Sequence, residues 1–217
     1  MQLFDNSKSI IENLYFLSGP VLAFLGLAAI MQLRLTKKAI VTSSKREAAR
    51  LSAKQIDHYN NQIIPLLDDL FRIRLKEKIE DVVIEVGDFN REAVESKLGK
   101  EETKKIIVAR IKLIIPVLRV INSMEAFSTY FTKGVADEEI AYSAVGRTFC
   151  NSIEGLYFDI ATCLKKDEDS SFQNIIRLYQ IWSARLKKEK LYKDKEKILN
   201  QITTIGEDKK VDPIGTK

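Results

Sequence analysis

Few residues in this 217-residue chain have the types and spacing that chemistry requires. Asn122 and Glu125 are three positions apart, so they share one face of a predicted helix whose neighbouring residues are mostly apolar. A carboxylate in such surroundings needs a partner, and Arg147 or Arg119 could provide it. Two interpretations stay open. Asn122, Glu125 and Arg147 form a polar pocket for a ligand, or an ion pair fixes the packing of two helices.

The other reactive residues lack the convergence that catalysis or metal binding needs. Glu154 and Asp159 are five positions apart and do not face one another on a helix. His58 is the single histidine, and we expect it at the surface or in packing. Cys150 and Cys163 lie about 20 Å apart along one predicted helix, too far for a disulfide. We therefore predict no catalytic residue, no metal site and no cofactor, and we favour a protein that is not an enzyme.

The strongest signal is an apolar run near the N-terminus. Residues 13–33 contain no charged side chain, and a helix of this length spans about 31 Å, close to the thickness of a bilayer core. A cleaved signal peptide would carry basic residues before the run, whereas here they follow it. A buried core helix is the other alternative. We predict a single transmembrane helix over residues 13–35.

Charge gives the predicted orientation. Arg34, Lys37 and Lys38 directly follow the span, while Lys8 alone precedes it. The positive-inside rule then places the N-terminus outside and the C-terminal part in the cytoplasm, with the inner membrane of a bacterium as the location. Residues 34–54 carry seven basic side chains against one acidic, and we expect some of them to contact lipid headgroups. That group is Arg34, Lys37, Lys38, Lys45 and Arg46.

Small residues line part of the predicted span. Gly19, Ala23 and Gly26 are spaced four and three apart and share a face, which would let two such helices pack closely. We therefore expect a homo-oligomer. Residues 55–184 carry 17 basic and 21 acidic side chains, which argues against nucleic acid as a partner. The remaining expected partners are the lipid bilayer and an unidentified cytoplasmic protein or small ligand.

The pattern of the rest of the chain predicts an all-α helical bundle, because apolar residues recur at intervals of three and four. The predicted organisation is an external N-terminus at 1–12, the span, a basic juxtamembrane helix at 36–62, a cytoplasmic helical domain at 63–205 and a flexible tail at 206–217. The run Val82–Val86 is predicted to continue a helix that starts near Leu66 and ends at Gly87. Further helices are expected from Asp88 to Leu98, from Glu101 with a kink or break at Pro116, after Asp137, and after Ser170 or Ser171.

One stretch resembles a family of uncharacterised bacterial proteins. The stretch contains Val120–Glu125, Tyr130 and the sequence Gly134-Val135-Ala136-Asp137-Glu138-Glu139, and the resemblance covers about residues 105–185. The resemblance implies an N-terminal membrane helix followed by a cytoplasmic helical domain, without an established activity. Some similar anchored proteins lie in bacterial defence loci.

The leading functional hypothesis is a membrane-tethered effector or signalling component, and the resemblance implies that it belongs to a bacterial defence system. Binding of a partner or ligand to the body would change the packing of the anchors. The alternative is a non-catalytic adaptor that holds a cytoplasmic partner at the membrane. An enzyme with an unrecognised helical site is the third class.

Overall fold

In the computed structural model the described residues, 2–163 and 172–205, form helices joined by turns and one extended segment. These ranges contain no β-strand, so the predicted all-α class is confirmed for them. Side chains are described for residues 15, 16, 18–163 and 172–203. The helices are α1 (Gln2–His58), α2 (Ile64–Lys76), α3 (Arg91–Leu98), α4 (Lys100–Ala109), α5 (Ile114–Thr132), α6 (Glu138–Cys163) and α7 (Gln173–Ile205).

The chain divides after Arg50 into two compact units, and the first consists of the N-terminal part of α1. The helix continues through Pro20. It provides the one stretch in the described ranges that is long and apolar enough to cross a membrane, with a mean hydropathy of 1.5 and no buried residue in its most apolar window. Core helices of soluble proteins and signal sequences also meet this test of length and composition.

The second unit starts at Leu51, whereas the sequence pattern suggests a boundary between residues 62 and 63. The C-terminal end of α1 is part of this unit, because Ser52, Gln55 and the π-turn residue Tyr59 are buried. The Ser52 hydroxyl donates a hydrogen bond to the Asp137 carbonyl over 2.8 Å. The predicted juxtamembrane helix at 36–62 is therefore helical up to a short π-turn at Tyr59–Ile63, but its two halves belong to different units.

An aromatic cluster forms the centre of the second unit. Trp182 of α7 is fully buried, and its ring centroid lies 5.1 Å from that of Phe149 of α6 and 6.3 Å from that of Phe127 of α5. Phe127 in turn packs 5.2 Å from Tyr59. Since full burial of one such side chain stabilises a fold by about 1.5–3 kcal/mol, this cluster is a major contribution to the stability of the unit.

The predicted helix over Val82–Val86 is wrong. Helix α2 ends at Lys76, and Lys78 has a φ of 52°, which turns the backbone out of the right-handed helix. No helix or strand is assigned over residues 79–88, and burial alternates from residue 81 to residue 87, as it does along an extended chain. Valine and isoleucine favour extended backbone, and a pattern of apolar residues spaced two apart fits this segment better than a helical spacing.

The middle helices follow the prediction more closely. Helix α3 ends at Leu98 as expected, and its N-cap is Asn90, whose side chain accepts a hydrogen bond from the Ala93 amide over 2.8 Å. The helix predicted from Glu101 is interrupted by a 3₁₀ turn at Ile111–Leu113. Pro116 lies in the first turn of α5, where its missing N–H costs no helical hydrogen bond.

Helix α6 begins as predicted after Asp137, whose carboxylate accepts from the amides of Glu139 and Ile140 over 3.1 and 3.3 Å. The apolar residues predicted for α7 lie largely inward, with Ile175, Leu178 and Trp182 fully buried. The predicted caps Ser170 and Ser171 and the predicted tail at 206–217 lie outside the described residues.

Candidate partner-binding groove

Residues 81–87 of the extended segment form one side of a groove on the second unit. Side chains along it alternate, so that Val82, Ile84 and Val86 are half-buried while Val83 is 92% exposed. This alternation is the geometry of a β-strand lying against helices. The sequence folds this way because three apolar side chains of one face cover the second hydrophobic cluster of the unit, around Tyr157.

Three side chains fix the backbone of the extended segment. Arg110 donates to the Glu80 carbonyl over 3.1 Å, Lys97 donates to the Glu85 carbonyl over 2.5 Å, and the Tyr157 hydroxyl donates to the Asp88 carbonyl over 2.9 Å. Within the described part of the chain, no backbone–backbone hydrogen bond joins residues 81–87 to another segment. The segment therefore presents strand-like backbone groups to which a strand could be added.

A buried charge cluster lies beneath one end of this segment. Asp159 of α6 is 6% exposed, and its two carboxylate oxygens accept from Arg110 Nε and Nη2 over 3.0 and 2.9 Å. Arg74 of α2 donates from Nη2 to the same carboxylate over 2.8 Å and from Nη1 to Asp81 over 3.3 Å. One carboxylate thus holds two guanidinium groups. Arg110 in turn donates to the Glu80 carbonyl and Arg74 to the Asp81 side chain, so the cluster positions the start of the extended segment.

The surroundings of Arg74 act on its pKa in opposite directions. Burial lowers the pKa of Arg74, and the charge of Arg110 acts in the same direction, while Asp159 opposes both. The Nε atom of Arg74 is buried without a hydrogen-bond partner. Since a buried charge is costly unless it is fully paired, the carboxylate of Asp159 is what makes this arrangement tolerable.

The groove itself has a volume of about 720 Å³. Residues 81–87 line one side, Gly155 and Glu154 of α6 contribute, and α7 contributes Tyr179, Gln180, Ser183 and Lys187. Glu154 accepts from the Tyr179 hydroxyl over 3.2 Å. Burial, and then this carboxylate, raise the pKa of Tyr179. The groove lining contains three acidic side chains, Asp81, Glu85 and Glu154, against two basic ones, Arg74 and Lys187.

The three residues of the predicted polar pocket have separate surroundings. Glu125 is half-buried, and its carboxylate accepts from the side chain and amide of Asn174 over 2.7 and 3.2 Å and from the amide of Ile175 over 2.9 Å. It caps the N-terminus of α7, so its partner is a helix end and neither Arg147 nor Arg119. Asn122 is exposed.

Arg147 is exposed on α6 and borders a second groove of about 540 Å³ together with Tyr142 and Glu189. The Tyr142 hydroxyl donates to Glu189 over 2.6 Å, and Arg185 lies 4.4 Å from the Tyr142 ring centroid. Helix capping thus replaces both interpretations of Glu125, and the structure does not bring Asn122, Glu125 and Arg147 into one pocket.

The remaining reactive groups have structural contacts. The His58 ring lies 3.5 Å from the Ser123 hydroxyl. Burial raises the pKa of Cys150 to about 12 and also raises the pKa of Cys163, which disfavours the reactive thiolate form of both. No group of three or more His, Cys, Asp or Glu side chains suited to a metal ion occurs in the described ranges.

The predicted membrane residues all lie on the exposed surface of α1. Gly19, Ala23 and Gly26 are exposed, and a Cβ atom added to either glycine would meet nothing within 4 Å. The basic residues predicted to contact headgroups are exposed as well; they are Arg34, Lys37, Lys38, Lys45 and Arg46. Nothing in the described part of the first unit prevents lipid or another helix from reaching these side chains.

Comparison with known proteins found no matching family model, no similar curated protein and no similar solved structure. The resemblance to an uncharacterised bacterial family therefore stays a prediction.

Proposed function

We propose that this protein is a membrane-tethered binding protein, in which α1 spans the bilayer and the second unit recruits a partner. The observation that carries the proposal is the exposure of the apolar run in α1. Eight large apolar side chains between Val21 and Leu33 are each 51–74% exposed. Leaving them in water would cost about 10 kcal/mol, comparable to the whole stability of a typical domain. A bilayer removes this cost.

The proposed topology places the N-terminus outside the inner membrane of a bacterium and the second unit in the cytoplasm. The exposed basic residues that follow the span support this orientation by the positive-inside rule. In this arrangement they contact anionic headgroups, at about 1 kcal/mol for each Lys or Arg near the surface.

Alkaline carbonate extraction of membranes, combined with protease digestion of sealed vesicles, tests the tether. We expect the chain to stay in the pellet and the second unit to be digested only from the cytoplasmic side. Replacing Phe24, Leu27 and Met31 together by aspartate places three charges in the span, at a cost of about 2.5–3.5 kcal/mol each, and should shift the chain to the supernatant. Replacing the exposed Val83, Val108 and Ile111 of the second unit by aspartate adds the same charge and should not. Complete extraction of the unchanged chain would exclude the tether.

The groove supports an extended peptide of a partner protein as the bound species. Backbone groups of residues 81–87 that pair with no other backbone segment can hydrogen-bond an added strand, and strand addition of this kind is a common mode of peptide recognition. The acidic side chains Glu85 and Glu154 favour a peptide with basic residues at alternate positions. Such a protein acts as an adaptor, the second of the two functions that the sequence suggests.

A synthetic peptide of alternating valine and lysine tests the groove, with titration followed by calorimetry on the full chain in detergent micelles. Its N-methylated form has the same side chains but cannot donate backbone hydrogen bonds, so we expect it not to bind. Glu85→Lys should weaken binding of the unmodified peptide at least tenfold. Glu80→Lys makes the same change outside the groove and should have no effect. Equal binding of the two peptide forms would exclude strand addition.

An effector is the second candidate, and the open face around Gly19 and Gly26 favours it. Small residues on an exposed membrane helix permit close helix–helix contact, so anchors could pack in response to a partner. Overproduction should then be toxic, and Gly19→Leu or Gly26→Leu should relieve toxicity while Leu22→Ile should not. Undiminished toxicity of both glycine variants would exclude this packing mechanism. A role in defence rests on the family resemblance alone.

A further inference from the structure

The C-terminal half of α7 extends beyond the core of the second unit. From Lys187 to Thr203 every residue except Asp194 is exposed. The side chains that pack inward on α7 end with the half-buried Leu186 and the hydrogen-bonded Glu189. We call residues 187–203 the overhang.

The overhang carries an apolar stripe of its own. Its members are 51–70% exposed and lie on one side of the helix: Leu191, Tyr192, Ile198, Leu199 and Ile202. The centre of this stripe is Lys195, nine residues from Leu186, which at 100° per residue puts the stripe on the opposite side of the helix. The stripe therefore faces away from the core of the unit and is accessible to a surface outside it.

The charge of the overhang favours one of the surfaces that could cover the stripe over the other. Residues 187–197 contain six lysines against Glu189, Asp194 and Glu196. Pairing with the same segment of a second copy would bring two positively charged helices together, which is unfavourable. An anionic lipid surface satisfies both properties, since basic amphipathic helices lie in the headgroup region with their apolar face buried. The long stem of Lys195 lets its ammonium reach the headgroups from within the stripe.

The place of the overhang in the second unit agrees with this occupant. Ser52, at the start of the unit, bonds to Asp137 at the start of α6, and Tyr142 one turn later bonds to Glu189 at the start of the overhang. The start of the second unit and the start of the overhang thus both contact the first turns of α6. We infer that the overhang binds the anionic surface of the membrane. The inference rests on the proposed tether for its access to the bilayer.

Two tryptophan reporters in the full chain separate this inference from the tether. The chain is reconstituted in vesicles of phosphatidylcholine alone or with added phosphatidylglycerol, each with brominated acyl chains that quench nearby indoles. Trp182 is fully buried and supplies a constant background. Phe24→Trp reports on the span and should be quenched in both lipids. Tyr192→Trp reports on the overhang and should be quenched several-fold more in the anionic vesicles.

Charge variants decide the mechanism in the Tyr192→Trp background. Lys187, Lys188 and Lys195 lie in or beside the stripe, and replacing them by glutamine should reduce membrane occupancy by about a hundredfold, at about fivefold for each lysine. The matched control removes equal charge from α4, where three lysines between residues 100 and 105 are replaced by glutamine, and should leave quenching unchanged.

The two reporters make the possible outcomes distinguishable. Quenching in the Phe24→Trp variant without quenching in the Tyr192→Trp variant would overturn the inference and leave the tether standing. Equal quenching of the Tyr192→Trp variant in both lipids would also overturn it, because the anionic charge would then have no role. Cross-linking of Tyr192→Cys between copies in both lipids would overturn it in favour of a second copy as the occupant.

Discussion

The charge cluster around Asp159 permits a quantitative test of the second unit. Asp159→Asn keeps the shape of the side chain but removes the negative charge that two buried guanidinium groups share. Arg110 would lose the carboxylate at 2.9–3.0 Å and Arg74 the same group at 2.8 Å. Removing one partner of a buried ion pair costs about 3–5 kcal/mol. Because a domain of this kind is stable by about 5–15 kcal/mol, the variant should lose a large fraction of its folding free energy.

Urea denaturation of the full chain in mild detergent measures this loss, with the fluorescence of Trp182 as the signal. Trp182 is the single tryptophan and is fully buried in the second unit, so its emission reports unfolding of that unit. Glu77→Gln is the matched control, since it breaks an ion pair with the exposed Lys112 at 2.6 Å and should leave the midpoint unchanged. A loss below about 1 kcal/mol for Asp159→Asn would refute the argument that the cluster is desolvated and mutually dependent.

Three further perturbations test the remaining packing. Glu125→Gln weakens the cap of α7 and should cost about 1 kcal/mol in the same urea assay, while Asn122→Ala, exposed on the same helix, should cost nothing measurable. Gly155→Ala should stabilise α6 by about 0.5–1 kcal/mol, because the added methyl meets no atom within 4 Å. Gly146→Ala should destabilise the helix, because the added methyl would lie 2.7 Å from a ring carbon of Tyr142. Thermal melts that show the opposite signs would contradict this argument. Cys150, whose pKa is raised to about 12 by burial, should resist maleimide at pH 8 until urea is added, as mass spectrometry of the labelled peptides will show.

Helix positions are predictable from the sequence where local chemistry decides them. The start of α6 at Asp137 and the end of α3 before Gly99 follow from side-chain capping and from a glycine with a φ of 85°. The extended segment is predicted as a helix because its apolar residues, spaced two apart, can be read as a continuation of the apolar face of α2. The β-branched run Val82-Val83-Ile84 is the signal that favours extended backbone.

The groove and its charge cluster are not predictable from one sequence. Asp159 is 85 positions from Arg74 and 49 from Arg110, and no local rule pairs residues at such separations. Glu125 illustrates the same limit, because its apolar face indicates the need for a partner while the partner itself, the amide end of α7, is 49 residues away. The chemistry of a side chain indicates that it needs a hydrogen-bond or ion-pair partner, and the tertiary structure determines which residue is that partner.

The separation of the cluster in the chain has a consequence for biosynthesis. Arg74 and Arg110 leave the ribosome before Asp159, and 49 residues separate the second arginine from the aspartate. At typical rates of translation this interval lasts about 2–10 s, far longer than the formation of a helix. During that time α2 and α4 can form, but Arg74 and Arg110 have no common counter-ion and must stay hydrated. The charge cluster therefore closes only after most of α6 has been synthesised, so that a chain truncated before Asp159 carries two arginines that cannot be buried and is exposed to quality-control proteases.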